Sequence, residues 1–214
     1  QERAPSTGDQ LDFSVSPSFG NVNVVRSNIL MNFYTTYFAS IAACISSIEQ
    51  DLQPLSHAVQ LLHEIRERGG KVILVGNGGS AAIASHVAVD FTKVASVRAV
   101  NFNDADLITC LANDYGYENW VEKALEFYAD PGDLVVLISS SGKSLNIVNG
   151  AIKAKQMKLS LITFSGFAQD NPLRKLGDLN FWADSQAYNV VEMTHHVWLL
   201  ALVDKLVADR EGNT

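Results

Sequence analysis

Short apolar, β-branched runs alternate with helical stretches from residue 71 onward, and this alternation constrains the fold more than any other feature. The runs are Lys71–Val75, Val97–Phe102, Leu134–Ser139, Leu159–Phe164 and Asn180–Ala183. Between them, Ala81–Thr92, Asp104–Ala112, Tyr117–Tyr128 and Ser144–Gln156 read as helices, and a long helix over Val190–Ala208 follows the last run. A short run that is apolar throughout is a strand covered on both sides, and strands separated by helices pair in parallel. The spacing therefore predicts a parallel sheet with helices on both faces. Two helices precede it. Ile29, Phe33, Tyr37, Ile41, Cys44 and Ile48 recur at helical spacing within Val24–Asp51. Leu55, Val59, Leu62 and Ile65 do so after Pro54, until Gly69–Gly70 stops that helix.

The 214 residues are enough for one such domain to bury a core unaided. Acidic residues outnumber basic ones 23 to 16, and the resulting charge of −7 argues against duplex nucleic acid, which needs a basic face. The two cysteines, Cys44 and Cys110, offer neither a disulfide framework nor a metal spacing, so a reducing cytoplasm is the expected compartment. The apolar run Val197–Val203 is far short of the ~20 residues that cross a bilayer, so no membrane is expected. Residues 1–30 are rich in Ser, Asn, Pro and Gly and lack the basic-then-apolar order of a signal peptide. They read as an extension or mobile arm before a domain over 31–209, with a short tail at 210–214.

Two loops carry the chemistry. Gly76-Asn77-Gly78-Gly79-Ser80 sits between a strand and a helix. Its glycines allow close backbone approach, and the helix start behind it offers free N–H groups to an anion. Gly76-x-Gly78-x-x-Ala81 nearly matches the dinucleotide fingerprint, and a plain turn capped by Ser80 is the simpler alternative. The second loop, Ser139-Ser140-Ser141-Gly142-Lys143-Ser144, also joins a strand to a helix. Its four hydroxyls and backbone amides suit one small anion. It ends like a phosphate-binding P-loop, but Leu137 stands where that motif needs Gly. A serine-lined cradle fits a sugar phosphate better than a nucleotide, so no nucleotide cofactor is expected, and Lys143 reads as a solvated lysine.

The paired loops resemble those of the sugar isomerase (SIS) domain family and, within it, of the phosphoheptose isomerases. Asn113-Asp114-Tyr115-Gly116 is similar to their Asn-Asp-aromatic-Gly segment, and the resemblance runs from about Asn32 to Val207. It implies a doubly wound, flavodoxin-like three-layer sandwich and a homotetramer with sites at subunit interfaces. It further implies that Ser139, Ser140, Ser141 and Ser144 grip a phosphate. Asn77, Gly78, Gly79 and Ser80, with Asn113 and Asp114, would line the sugar pocket. The implied reaction is aldose–ketose isomerisation of a phosphorylated sugar, with sedoheptulose 7-phosphate giving a heptose 7-phosphate.

Such a reaction needs a base to move a proton between adjacent carbons, and a proton donor or metal to polarise the oxygens. His86 and Asp90 are four residues apart on the helix after the first loop and share a face. The family carries Glu where Asp90 stands, one methylene longer. Glu192 and His196 share a face of the last helix, with His195 beside them. The family has Gln near the Glu192 position and a catalytic His where Leu200 stands. Asp90, Glu192 and His196 are thus the candidate catalytic groups. His86, Asp90, Glu192 and His196 are candidate ligands of a metal, zinc being the expected ion. The departures at Asp90 and Leu200 keep a second reading open, a non-catalytic phosphosugar-binding regulator or assembly adaptor. His57 and His63 read as structural.

Overall fold

The computed structural model describes residues 19–212, with side chains from 31 onward. Most of the expected N-terminal arm and the last two residues lie outside the described residues. The chain divides after Ala39 into two units, each described by itself. In the first, helix α1 (Phe19–Ser46) begins, starting earlier than the apolar periodicity suggests. Its exposed residues include Met31, Phe33, Tyr34 and Phe38. Phe33 stacks on Tyr37 with ring centroids 6.0 Å apart.

The second unit is a five-stranded, all-parallel sheet. In chain order it runs α2 (Gln53–Glu67), β1 (Val72–Gly76), α3 (Gly79–Lys93), β2 (Ala99–Asn101), α4 (Ala105–Tyr115), α5 (Trp120–Tyr128), β3 (Leu134–Ser139), α6 (Leu145–Gln156), β4 (Ser160–Gly166), β5 (Leu179–Ala183) and α7 (Tyr188–Gly212). The expected strands all form, and the third has the expected limits. The second is the shortest, three residues at the sheet edge, and is only partly buried. The helix expected from Tyr117 begins at Trp120. Gly116 ends α4 at φ +87°, a left-handed conformation natural to glycine, and a turn intervenes. α7 continues to Gly212, past the expected tail boundary.

Alternate strand residues enter two cores. Val72, Leu74, Val136, Ile138, Ile162 and Phe164 pack with α2, α3 and α7. Ile73, Val75, Val135, Leu137 and Leu161 pack with α4, α5 and α6, around the buried Trp120. β1 and β3 are buried at every position, which is why their sequences are apolar throughout rather than alternating.

The strand order is β2-β1-β3-β4-β5. The chain leaves β1 in one direction to reach β2 and builds in the other from β3 onward. Adjacent loops after β1 and β3 therefore diverge to opposite faces and leave a crevice, where open α/β sheets bind ligands. The register pairs Gly76 with Ile138, which brings the Gly76–Ser80 loop beside the serine loop.

Candidate functional site: a serine-lined cavity between β1 and β3

A cavity of about 100 Å³ occupies this crevice, lined by Asn77, Ser80, Ile138, Ser139, Ser140, Ser141, Ser144, Tyr188 and Glu192. All four serines expected to grip a phosphate line it. β3 delivers Ser139 at its C-terminal end, and Ser144 stands at the N-cap of α6. Ser144 makes no side-chain cap; its hydroxyl instead meets that of Ser139 at 3.3 Å. The first turn of α6 thus keeps N–H groups for a ligand, at the positive end of the helix dipole. Ser141 Oγ accepts the Lys143 N–H at 3.2 Å, which tightens the loop. Ser140 Oγ is buried and has no hydrogen-bond partner. A buried hydroxyl without a partner is costly, and here it lines a cavity that a ligand oxygen can enter.

The glycines of the first loop have separate reasons. A Cβ on Gly76 would lie 2.6 Å from the Ser80 carbonyl carbon, so the turn into α3 closes only over glycine. A Cβ on Gly79 would lie 2.6 Å from Glu192 Cδ and 2.7 Å from its Oε1, and would also run into Oε2. Gly79 therefore seats the Glu192 carboxylate rather than lining the cavity itself. Gly78, at φ +55°, forms the turn. Glu192 is half-buried, and burial pushes its carboxyl above the ordinary value.

His86, Asp90 and His196 form a second group, further along α3 and α7. His86 Nε2 lies 3.2 Å from Asp90 Oδ2, and His86 Nδ1 lies 2.8 Å from His196 Nε2. At that distance one imidazole nitrogen donates and the other accepts. Burial, with the His86 charge second, pulls His196 below the ordinary histidine range, against the opposing pull of Asp90. Neither Asp90 nor His196 lines the cavity, whereas Glu192 does. Among the described residues, no three His, Cys, Asp or Glu side chains are arranged to hold a metal ion. Of the four residues expected to hold zinc, His86, Asp90 and His196 stand together and Glu192 lines the cavity. Both nitrogens of His86 are spent on its neighbours, and Glu192 faces the serines. Asn113 and Asp114 sit at the exposed end of α4, bonded to each other at 2.9 Å, outside the cavity lining within the chain.

His195 turns away from its neighbour into the core. It is fully buried, and its Nε2 donates to the Ser165 carbonyl at 2.9 Å. Burial lowers its pKa to about 4. The unfolded chain takes up this proton below the ordinary histidine value of about 6.5, and the folded chain only near 4. The stability His195 contributes is present above that ordinary value and is lost as the pH falls toward the folded one. The gap in urea midpoint between wild type and His195→Gln should narrow over that window; a constant gap would contradict the assignment. His63 is structural, held by Asp209 at 3.1 Å and Arg66 at 2.9 Å.

Sequence reasoning missed Tyr188 and Asn146. Tyr188 lines the cavity one helical turn before Glu192, and Phe167 meets it edge-on with centroids 4.8 Å apart. Its i,i+4 spacing to Glu192 was the available signal, hidden because the periodicity placed the helix start at Val190. Asn146 carries no signal until α6 is set beside the first loop.

The SIS domain family model matches residues 36–166. Phosphoheptose isomerase from Aliarcobacter butzleri is 30% identical over 177 residues, covering 80% of this chain and 91% of the relative. That from Fusobacterium nucleatum is 29% identical over 180 residues, covering 82% and 92%. The structure of phosphoheptose isomerase from Neisseria gonorrhoeae superposes with a TM-score of 0.77 at 26% identity, covering 84% of this chain and 99% of that one. The two relatives and the solved structure named here are phosphoheptose isomerases, and the chain belongs to the SIS domain family.

Proposed function

We propose that this protein is an aldose–ketose isomerase that converts sedoheptulose 7-phosphate to the corresponding heptose 7-phosphate. One observation carries the reading: the cavity joins four serines, one with a buried unpartnered hydroxyl, to a carboxylate of raised pKa. The serines and the start of α6 hold the phosphate dianion without a basic patch, which reconciles the net negative charge with an anionic substrate. Glu192 takes the proton from C1 of the ketose. Electrons move into an enediol, the proton held by the Glu192 carboxyl exchanges with solvent at that stage, and the carboxyl then protonates C2 while the hydroxyl proton passes from O1 to O2. The exposed Met31, Phe33 and Phe38 support a homo-oligomer. Among the described residues, no helix is long and apolar enough to cross a membrane.

Solvent deuterium should enter C2 of the heptose 7-phosphate product when sedoheptulose 7-phosphate is supplied in D2O. No incorporation, with or without added zinc, would favour the second reading, a phosphosugar-binding protein without turnover. That reading is supported by Asp90, which is held by His86 outside the cavity lining, and by Leu200 where the family carries a histidine. Both readings require the phosphate cradle. Ser140→Ala should weaken inorganic phosphate binding by about tenfold or more, the worth of one hydrogen bond to a charged group. Unchanged affinity in calorimetry would remove the cradle.

A further inference from the structure

Asn146 lies outside the cavity lining, yet it holds part of the wall. Its side-chain amide pairs reciprocally with that of Asn77. Asn77 Nδ2 donates to Asn146 Oδ1 at 3.0 Å, and Asn146 Nδ2 donates back to Asn77 Oδ1 at 2.8 Å. The Tyr117 hydroxyl donates to the same Asn77 oxygen at 3.3 Å. Three separate segments meet here: the loop after β1, the first turn of α6, and the turn between α4 and α5. Asn146 is only 2% exposed, so its amide has no water to fall back on if Asn77 swings away.

Hydrogen-bond arithmetic gives this contact a consequence for the ligand. The Asn77 oxygen already accepts two bonds, which fills both lone pairs. Its nitrogen has two hydrogens, and one is spent on Asn146. One N–H remains, on a residue that lines the cavity. An unclamped asparagine could rotate its amide and offer either oxygen or nitrogen. The planar reciprocal pair removes that freedom, because Asn77 cannot turn without breaking both bonds to a buried partner.

We propose that Asn146, assisted by Tyr117, is a positioning residue that aims the free N–H of Asn77 at an oxygen of the sugar while the serines hold the phosphate. The proposal rests on the cavity being a phosphosugar site. It separates two kinds of loss, since damage to the clamp falls on the sugar portion of the ligand and spares the phosphate. Calorimetry with inorganic phosphate and with sedoheptulose 7-phosphate reads the two portions apart.

Asn146→Ala should weaken sedoheptulose 7-phosphate by about tenfold or more and change inorganic phosphate by less than about twofold. Tyr117→Phe should shift the same ratio in the same direction by about two- to threefold, with an unchanged melting temperature. Tyr117 is 55% exposed, so its variant folds and decides the matter even if Asn146→Ala does not. Equal losses for both ligands would make the pair merely structural and overturn the proposal, as would an unaltered ratio in Tyr117→Phe. Turnover is not read, so an inactive wild type would remove the isomerase reading while the binding ratio still judges the clamp.

Discussion

Glu192→Gln should lower kcat/KM for the ketose-to-aldose conversion by about 10²–10⁴-fold, the range a general base contributes. Among the described residues, Glu192 is the one carboxylate lining the cavity that the four serines also line. Gln keeps the shape and the contact with Gly79 but cannot accept a proton from carbon. Inorganic phosphate affinity should therefore stay within about twofold, because the cradle is made by other residues. The pH dependence adds a second check. The base works ionised, and burial raises its pKa. The acid limb of kcat/KM should accordingly lie above the ordinary carboxylate range, with rate rising as the pH passes through it. Retained turnover in Glu192→Gln would reassign the base, with Asp90 next in line. This variant is informative for a further reason: the resembled family carries Gln near this position, so the substitution asks whether a carboxylate has taken over the role there.

Gly79→Ala should reduce kcat by about 10²-fold without unfolding the protein. The added methyl would stand 2.6 Å from Glu192 Cδ and 2.7 Å from Oε1, so the carboxylate must move. What the methyl meets is the far end of a flexible side chain, which gives way cheaply. Gly79 opens α3, where alanine is well accommodated. Stability should change little, while a displacement of about 1 Å at the reacting group is enough for a hundredfold loss. Together the two variants separate the chemistry of the carboxylate from its placement. If Gly79→Ala turned over at the wild-type rate, the observed seat of Glu192 would not be its working position. Gly76→Ala is a different case, because its methyl would meet the backbone of Ser80 and the whole turn would shift.

Much of this site was legible in the sequence, and the reasons differ by residue. The serines could be read because their arrangement depends on local structure alone: a strand end, a hydroxyl-rich loop and a helix start are consecutive in the chain. Gly76 and Ser80 were legible for the same reason. His86 and Asp90 were paired by helical spacing, and they meet at 3.2 Å. Which of His86, Asp90, Glu192 and His196 share a site was not legible. That depends on how α3 and α7 lie together, and they bring His86 to His196 and Gly79 to Glu192. Within the chain the four expected metal ligands lie as a carboxylate at the cavity and a hydrogen-bonded His196–His86–Asp90 chain. Asn113 and Asp114 were expected at the sugar from a motif, and the position of α4 leaves them exposed outside the lining.

The fold divides along the same line. Apolar runs, glycine turns and helical periodicity determined the elements and their parallel pairing, because hydrophobic burial on two faces leaves a pattern in every strand. They also gave the expectation of an anion site after β1 and β3, since backbone amides and hydroxyls at strand ends are local properties. The sheet order decided that these two loops are neighbours. Packing between helices decided that Glu192 lines the cavity with the serines and that His195 is spent in the core, while contact between the first loop and the start of α6 made Asn146 the partner of Asn77. Those decisions rest on contacts between residues dozens of positions apart, whose energy depends on shape and burial in three dimensions and leaves no periodic trace along the chain.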